Sequence, residues 1–297
     1  MANETEPGRA SPATDGGATS APPGASKSRE LTSRILSGLV LAALALTLTW
    51  HSVASFAVLV GIVGLVMSWE WARVVRGTGL DVAFWLQAAS VVGAVALTAA
   101  GYGVMAAVVV ALGAIVVLTI RAGADARLSV LGVAYVGLPA IALVWLRTGI
   151  PPNGLQAILF VFLVVWTTDI AAFAFGRGIG GPKLWPAVSP GKTWSGLIGG
   201  VGTAAAAGAA FGAQVLGTGA LRLGLVALVL ALIAQAGDLA ESALKRRFKV
   251  KDSSGLIPGH GGFMDRMDSI VPVAVVAALL GLVINGQEPA RALLLGP

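Results

Sequence analysis

The chain contains no cysteine, which excludes disulfides and any zinc or iron–sulfur site held by thiolates. Charge is scarce too. Asp, Glu, Lys and Arg together make up only 11% of the residues, where a soluble domain carries about 25%. Hydrophobic residues reach 56%, and the mean hydropathy is +0.86. Apolar runs recur along almost the whole chain, many of them about 17–25 residues long, enough to cross a hydrocarbon core of about 30 Å as helix. The formal charge of +6 does not point to nucleic acid. The basic residues sit in the gaps between apolar runs, where anionic lipid or a polyanionic substrate is the better partner.

These runs predict an all-α fold: a polytopic integral membrane helical bundle of about nine transmembrane helices. The spans fall near 33–50, 53–72, 82–100, 103–120, 129–146, 154–175, 194–216, 221–241 and 269–285. Residues 1–30, rich in Pro, Gly, Ser, Ala and Thr, cannot bury enough surface to offset their ordering entropy and read as a disordered cytoplasmic tail. No apolar core follows their scattered charges closely enough for a signal peptide. Residues 31–150 form an N-terminal set of spans, and 151–297 a C-terminal set with two polar loops. Trp50-His51-Ser52 alone joins the first two spans, which predicts a tight helical hairpin. Gly and Ala crowd 195–213, letting helices approach closely in lipid.

Charge bias sets the expected orientation. With the N-terminus cytoplasmic, the inner segments carry Arg9, Lys27, Arg29, Arg34, Arg73, Arg76, Arg121, Arg127, Arg177, Lys183, Lys192, Lys245, Arg246, Arg247, Lys249, Lys251 and Arg266. These are 17 of the 20 basic residues, leaving Arg147, Arg222 and Arg291 outside. Both polar loops then face the cytoplasm.

The densest polar run extends from Gly237 to Asp268 and holds four Asp, one Glu and six Lys or Arg. On a helix, Asp238, Glu241, Ser242 and Lys245 share one face. For Glu241 and Arg246, solvated pairing at a helix end accounts for the pattern equally well; for Asp238 the preceding apolar stretch makes a functional role the stronger reading. Asp265 and Asp268 are three apart and could join Asp238 around a hard divalent cation, since Mg²⁺ takes oxygen ligands from carboxylates and phosphates. Asp268 could equally N-cap the last span. Between these groups lies a glycine-rich stretch, 255–263, whose backbone N–H groups, Gly261 and Gly262 among them, suit an anion. His260 within it could be a proton donor, a phosphate contact or a loop organiser.

A second loop, 176–196, offers Lys183, Ser189, Lys192 and Thr193 as cationic and hydroxyl donors for phosphate, or serves only as a positively charged topology loop. It is not a P-loop: Pro186 stands where that motif needs glycine before Gly191. Asp169, inside the sixth span, is another acid at membrane depth and is expected to face the bundle interior.

The run Ser242-x-x-Lys245-Arg246, Lys251-Asp252, Ile257-Pro258-x-His260-Gly261-Gly262-x-x-Asp265-Arg266-x-Asp268 closely resembles the signature of phosphatidate cytidylyltransferases, also called CDP-diacylglycerol synthases. Gly237-Asp238-Leu239-x-Glu241-Ser242, the Ser189-Pro-x-Lys192-Thr193-Trp194 loop, and Asp169 with the Gly176-Arg177 pair fit the same family. The resemblance is strong over 160–285, covers 31–150 only as hydrophobic spans and does not extend to 1–30. One departure is visible: Ser195 occupies the position where the family pattern has Glu, so any role of that acid does not carry over.

The resemblance implies transfer of CMP from CTP to phosphatidic acid with Mg²⁺, giving CDP-diacylglycerol and pyrophosphate for phospholipid biosynthesis. It implies Asp238, Asp265 and Asp268 as metal ligands and, with Lys245, as the catalytic set. Arg177, Lys183, Ser189, Lys192, Thr193, Ser242, Arg246, Lys251, His260, Gly261, Gly262 and Arg266 would bind substrate. A second, monovalent ion and a homodimer stay open. The expected location is a bacterial inner or plasma membrane, with the site on its cytoplasmic side, in contact with membrane lipids.

The rival from another class is a secondary transporter or channel using Asp169, Asp238, Asp265 and Asp268 as a cation path. It does not explain why the polar residues gather in two loops, and the halves show no convincing repeat. A CDP-alcohol phosphotransferase would need an Asp-Gly-x2-Ala-Arg motif, which is absent.

Overall fold

A computed structural model describes residues 23–121, 124–217, 219–257 and 261–297. In chain order the elements are α1 (Pro23–His51), α2 (Val53–Arg76), α3 (Val82–Ala99), α4 (Gly103–Ile120), α5 (Ala124–Arg147), α6 (Asn153–Gly178), β1 (Lys183–Trp185), β2 (Ser189–Thr193), α7 (Trp194–Gln214), α8 (Ala220–Arg247), α9 (Met264–Met267), α10 (Ile270–Ile284) and α11 (Pro289–Leu295). Each of the nine predicted spans falls on a helix.

Among the described residues, seven helices, α2 to α8, are long and apolar enough to cross a membrane; α10 and α11, bent by 90°, raise the number to eight if they form one span. The protein is therefore a polytopic helical membrane bundle. One expectation needs correcting. Residues 23–30, assigned to the tail, begin α1; Pro23 suits the first helical turn, where its missing N–H costs nothing, and residues 1–22 lie outside the described residues. The last predicted span, 269–285, coincides with α10, which covers about 22 Å at 1.5 Å per residue before the chain turns into α11.

Local chemistry sets the helix ends. Ser52 is the single residue between α1 and α2. Its hydroxyl accepts the Ser55 N–H, and the Ser55 hydroxyl accepts the Ser52 N–H, each at 3.0 Å, a reciprocal capping box. Asp81 caps α3 by accepting the Phe84 N–H at 2.8 Å and is clamped by Arg76 and Arg121. Burial works to raise its pKa. The Arg76 and Phe84 bonds outweigh that and hold Asp81 below the usual carboxylate range.

Packing follows side-chain size. Gly196, Gly200, Ala204, Gly208 and Gly212 form the buried stripe of α7, along which it packs against α6 and α8. Lipid tails are as apolar as leucine, so close backbone contact replaces hydrophobic drive in joining these helices. In the N-terminal half, buried polar side chains find carbonyls on α5: Trp71 Nε1 donates to Leu128 O at 3.0 Å and Gln87 Nε2 to Gly132 O at 3.1 Å. The helix α10 packs against both α5 and α8, joining the two halves.

The two ends of the bundle differ. One gathers both polar loops. At the other, Arg147 Nε donates to Thr49 O at 3.0 Å and Arg222 Nη2 to Ala292 O at 2.6 Å.

Candidate active site

The second polar loop is an ordered hairpin. Strands β1 and β2 pair antiparallel, Lys183 opposite Thr193 and Trp185 opposite Ser189. Thr193 ends the hairpin and starts α7: it is buried, and its hydroxyl accepts the Gly196 N–H at 3.1 Å, so that oxygen serves as a helix cap. Ser195, the departure from the family pattern, donates its hydroxyl to Gly180 O and closes the base of the hairpin.

Lys192 reaches from the hairpin to α8. Its Nζ lies 2.8 Å from Asp238 Oδ2 and 3.1 Å from Gln235 Oε1. Asp238 also receives the Ser242 hydroxyl at 3.4 Å. One residue before it, Gly237 lets α10 approach: a Cβ there would meet Asp268 O at 2.4 Å and Pro272 Cγ at 2.5 Å. That close crossing brings Asp238 and Asp268 together.

Asp265 organises the first loop. Its Oδ1 takes Lys245 Nζ at 2.6 Å; its Oδ2 takes the Ser253 N–H and hydroxyl, each at 2.9 Å, and the Gly262 N–H at 2.8 Å. Burial pushes its pKa upward. The Lys245 bond and the two backbone bonds win and hold it below the ordinary range. Lys245 also comes within 3.2 Å of Glu241 Oε1, though neither Glu241 oxygen makes a hydrogen bond among the described residues. Glu241 is buried at 3% exposure, so it is not the solvated surface acid the sequence allowed.

Asp268 Oδ1 accepts the N–H of the adjacent Ser269 at 2.8 Å, and α10 carries no side-chain cap bond, so Asp268 is not acting as an N-cap. Burial first, then the nearby carboxylates of Asp238 and Asp169, push its pKa up to about 7. Asp169 receives the Ser269 hydroxyl at 3.5 Å.

These groups surround one cavity of about 650 Å³, within the size range of small-molecule sites. Its walls carry Asp169, Phe173 and Arg177 from α6, Lys183, Lys192 and Thr193 from the hairpin, Leu197 from α7, and Gln235, Asp238 and Lys245 from α8. Asp252, Asp265, Arg266, Asp268 and Ser269 complete it. Of the expected residues, Ser189, Ser242, Arg246, Lys251, Gly261 and Gly262 are not among the cavity walls; Arg246 instead donates to Val188 O at 3.3 Å, bracing the hairpin. Gly261, at φ +79°, bridges to Ile257, and Gly262 is held by Asp265. His260 lies outside the described residues.

The three expected metal ligands all reach this cavity. Among the described residues, however, no three acidic or histidine side chains stand close enough to hold an ion by themselves, and Asp265 has both oxygens engaged. Asp238, with Lys192 and Ser242, and Asp268, with one backbone N–H, have fewer partners than Asp265, and Asp169 lies beside them. Sequence reasoning passed over Glu70 of α2, whose carboxylate accepts the N–H groups of Phe263 and Met264. An acid within a predicted span was the available signal.

The model of the Cytidylyltransferase family matches residues 32–284, and the chain belongs to that family. A phosphatidate cytidylyltransferase of Brucella suis biovar 1 (strain 1330) is 38% identical over 255 residues, covering 85% of this chain and 94% of the relative. One from Brucella melitensis biotype 1 matches to the same extent. A phosphatidate cytidylyltransferase of Staphylococcus epidermidis (strain ATCC 35984) is 42% identical over 157 residues, 52% of this chain and 59% of the relative.

Proposed function

We propose that the protein transfers CMP from CTP to phosphatidic acid, yielding CDP-diacylglycerol and pyrophosphate. The observation that carries this reading is the composition of the cavity between the two polar loops. Arg177, Lys183, Lys192, Lys245 and Arg266 line it with positive charge, Asp169, Asp238, Asp265 and Asp268 share the same walls, and Phe173 and Leu197 add apolar surface. A triphosphate suits the first group and an acyl chain the last. The relatives' shared name supports the same choice of substrate.

In the reaction a phosphate oxygen of the lipid attacks the α-phosphorus of CTP in line. The bond from that phosphorus to the bridging oxygen breaks, and pyrophosphate leaves. The lipid phosphate is already largely ionised near neutral pH, so no base is needed. The protein's task is positioning and charge neutralisation. Arg177, Lys183 and Arg266 would hold phosphates. Lys192 and Lys245 would do so from positions fixed by Asp238 and Asp265.

A hard divalent cation suits the donor set. Mg²⁺ is usually held by one or two carboxylates plus substrate phosphate oxygens, which Asp238 and Asp268 with the nucleotide would provide; Asp265 would act by shaping the site. When bound, the ion would stabilise negative charge on the phosphates as a Lewis acid. We further read α1 and the α10–α11 pair as completing a nine-span bundle, with the N-terminus and the cavity cytoplasmic. The charge bias supports that orientation.

Purified protein in detergent, given phosphatidic acid, labelled CTP and Mg²⁺, should place label in a lipid product. Ion flux in proteoliposomes with no labelled lipid formed would favour the transporter instead.

A further inference from the structure

Glu70 is fully buried in α2, at 0% exposure, far along the chain from the two polar loops. Its carboxylate takes three donors from 184 to 194 residues away. The Ser254 hydroxyl and the Phe263 N–H reach Oε1 at 2.5 and 2.9 Å, and the Met264 N–H reaches Oε2 at 2.6 Å. A buried carboxylate in a membrane helix is costly to keep and rare without a task.

The pattern of donors gives the task. Two acids divide the loop between them at both of its ends. At the first, Ser253 binds Asp265 and Ser254 binds Glu70; at the second, Gly262 binds Asp265 and Phe263 binds Glu70. The fit is tight: a Cβ on Gly262 would meet Ser253 Oγ at 2.0 Å and Glu70 Oε1 at 2.3 Å. Asp265 follows directly after Met264, and it is Asp265 that holds Lys245. Arg266 and Asp268, both on the cavity wall, come next along the chain.

We propose that Glu70 is a positioning residue for the reaction, anchoring the loop so that Asp265 fixes Lys245 and α9 presents Arg266 and Asp268 to the cavity. The reactive role rests on the function proposed above; the anchoring does not. Gln at position 70 keeps the shape but replaces one acceptor oxygen with an N–H₂ donor facing donors, leaving buried N–H groups unpaired.

The test is E70Q in the full-length protein, read in two assays. In the transferase assay, kcat should fall about tenfold or more and KM for CTP should rise about fivefold, whereas a smaller folded fraction would lower the maximal rate alone. In limited trypsinolysis, cleavage after the exposed Lys249 and Lys251 should be about fivefold faster, because proteolysis follows the population of the opened loop. Unchanged KM and an unchanged tryptic rate overturn the proposal. Should E70Q not fold, S254A removes one donor without disturbing α2 and is read in the same assays; wild-type values for it overturn the proposal too. If the wild-type protein incorporates no label, the transferase reading fails, and the tryptic rates alone decide whether Glu70 anchors the loop.

Discussion

Lys245 Nζ lies 2.6 Å from Asp265 Oδ1, although the two residues are 20 apart in the chain. The contact fastens the last turn of α8 to α9 across the glycine-rich loop. With its other oxygen occupied by Ser253 and Gly262, Asp265 is the knot of the first loop and sets the direction in which Lys245 points.

Replacing Asp265 with Asn should therefore damage two contacts at once. One amide position accepts where the carboxylate did; the other presents N–H₂ to Lys245 or to the loop donors. We expect turnover to fall about 100-fold, and stability to fall by about 3 kcal/mol, the usual result of breaking a buried pair. Steady-state kinetics and thermal unfolding in detergent measure the two effects. Near-normal turnover would remove Asp265 from the site.

The acids should give opposite pH signatures in metal-free protein. Asp268 binds its proton more tightly folded than unfolded, with a folded pKa of about 7 against 3.8. Between those values the folded state holds the extra proton, so stability should fall as pH rises from about 4 to 7. Asp265 is shifted the other way: its contribution is complete above pH 3.8 and is lost as pH falls through its lower folded value. Thermal midpoints in chelator across this range test both, and D268N should flatten the upper slope only.

Gly237 should tolerate no side chain. G237A places a Cβ 2.4 Å from Asp268 O, forcing α8 and α10 apart. Overpacking of this kind costs about 1–3 kcal/mol, and the separation of Asp238 from Asp268 should reduce turnover about tenfold. A G237A protein with wild-type kinetics would show that this crossing does not set the site.

Excess chelator should abolish transferase activity, and Mg²⁺ should restore it. Undiminished turnover in chelator would refute the assignment of a divalent ion to Asp238 and Asp268.

Hydropathy alone located the helices, because lipid permits few ways to satisfy a backbone. It placed the end of α10 within one residue, at the polar Asn285–Glu288 stretch, but gave no sign of the short α11 that follows at 90°. The motif residues were visible from their spacing. Their division of labour was not: Asp238, Asp265 and Asp268 look alike in sequence, and only the contacts of Lys245, Ser253 and Gly262 separate the organiser from the two carboxylates with fewer partners. Thr193 lies on the cavity wall as well as capping α7, and the capping role was not legible without the helix it starts. The hairpin at 183–193 was hidden by its Pro and Gly residues, which read as loop.

The hold of α2 on the distant loop ties the two halves into one chemical unit. A gene divided at the connection between α5 and α6 would put all of the proposed catalytic residues in one product and the anchor of their loop in the other. On the proposed role of Glu70, activity should return only on reassembly in the bilayer, and the fragment with the recognisable motifs should be inactive alone.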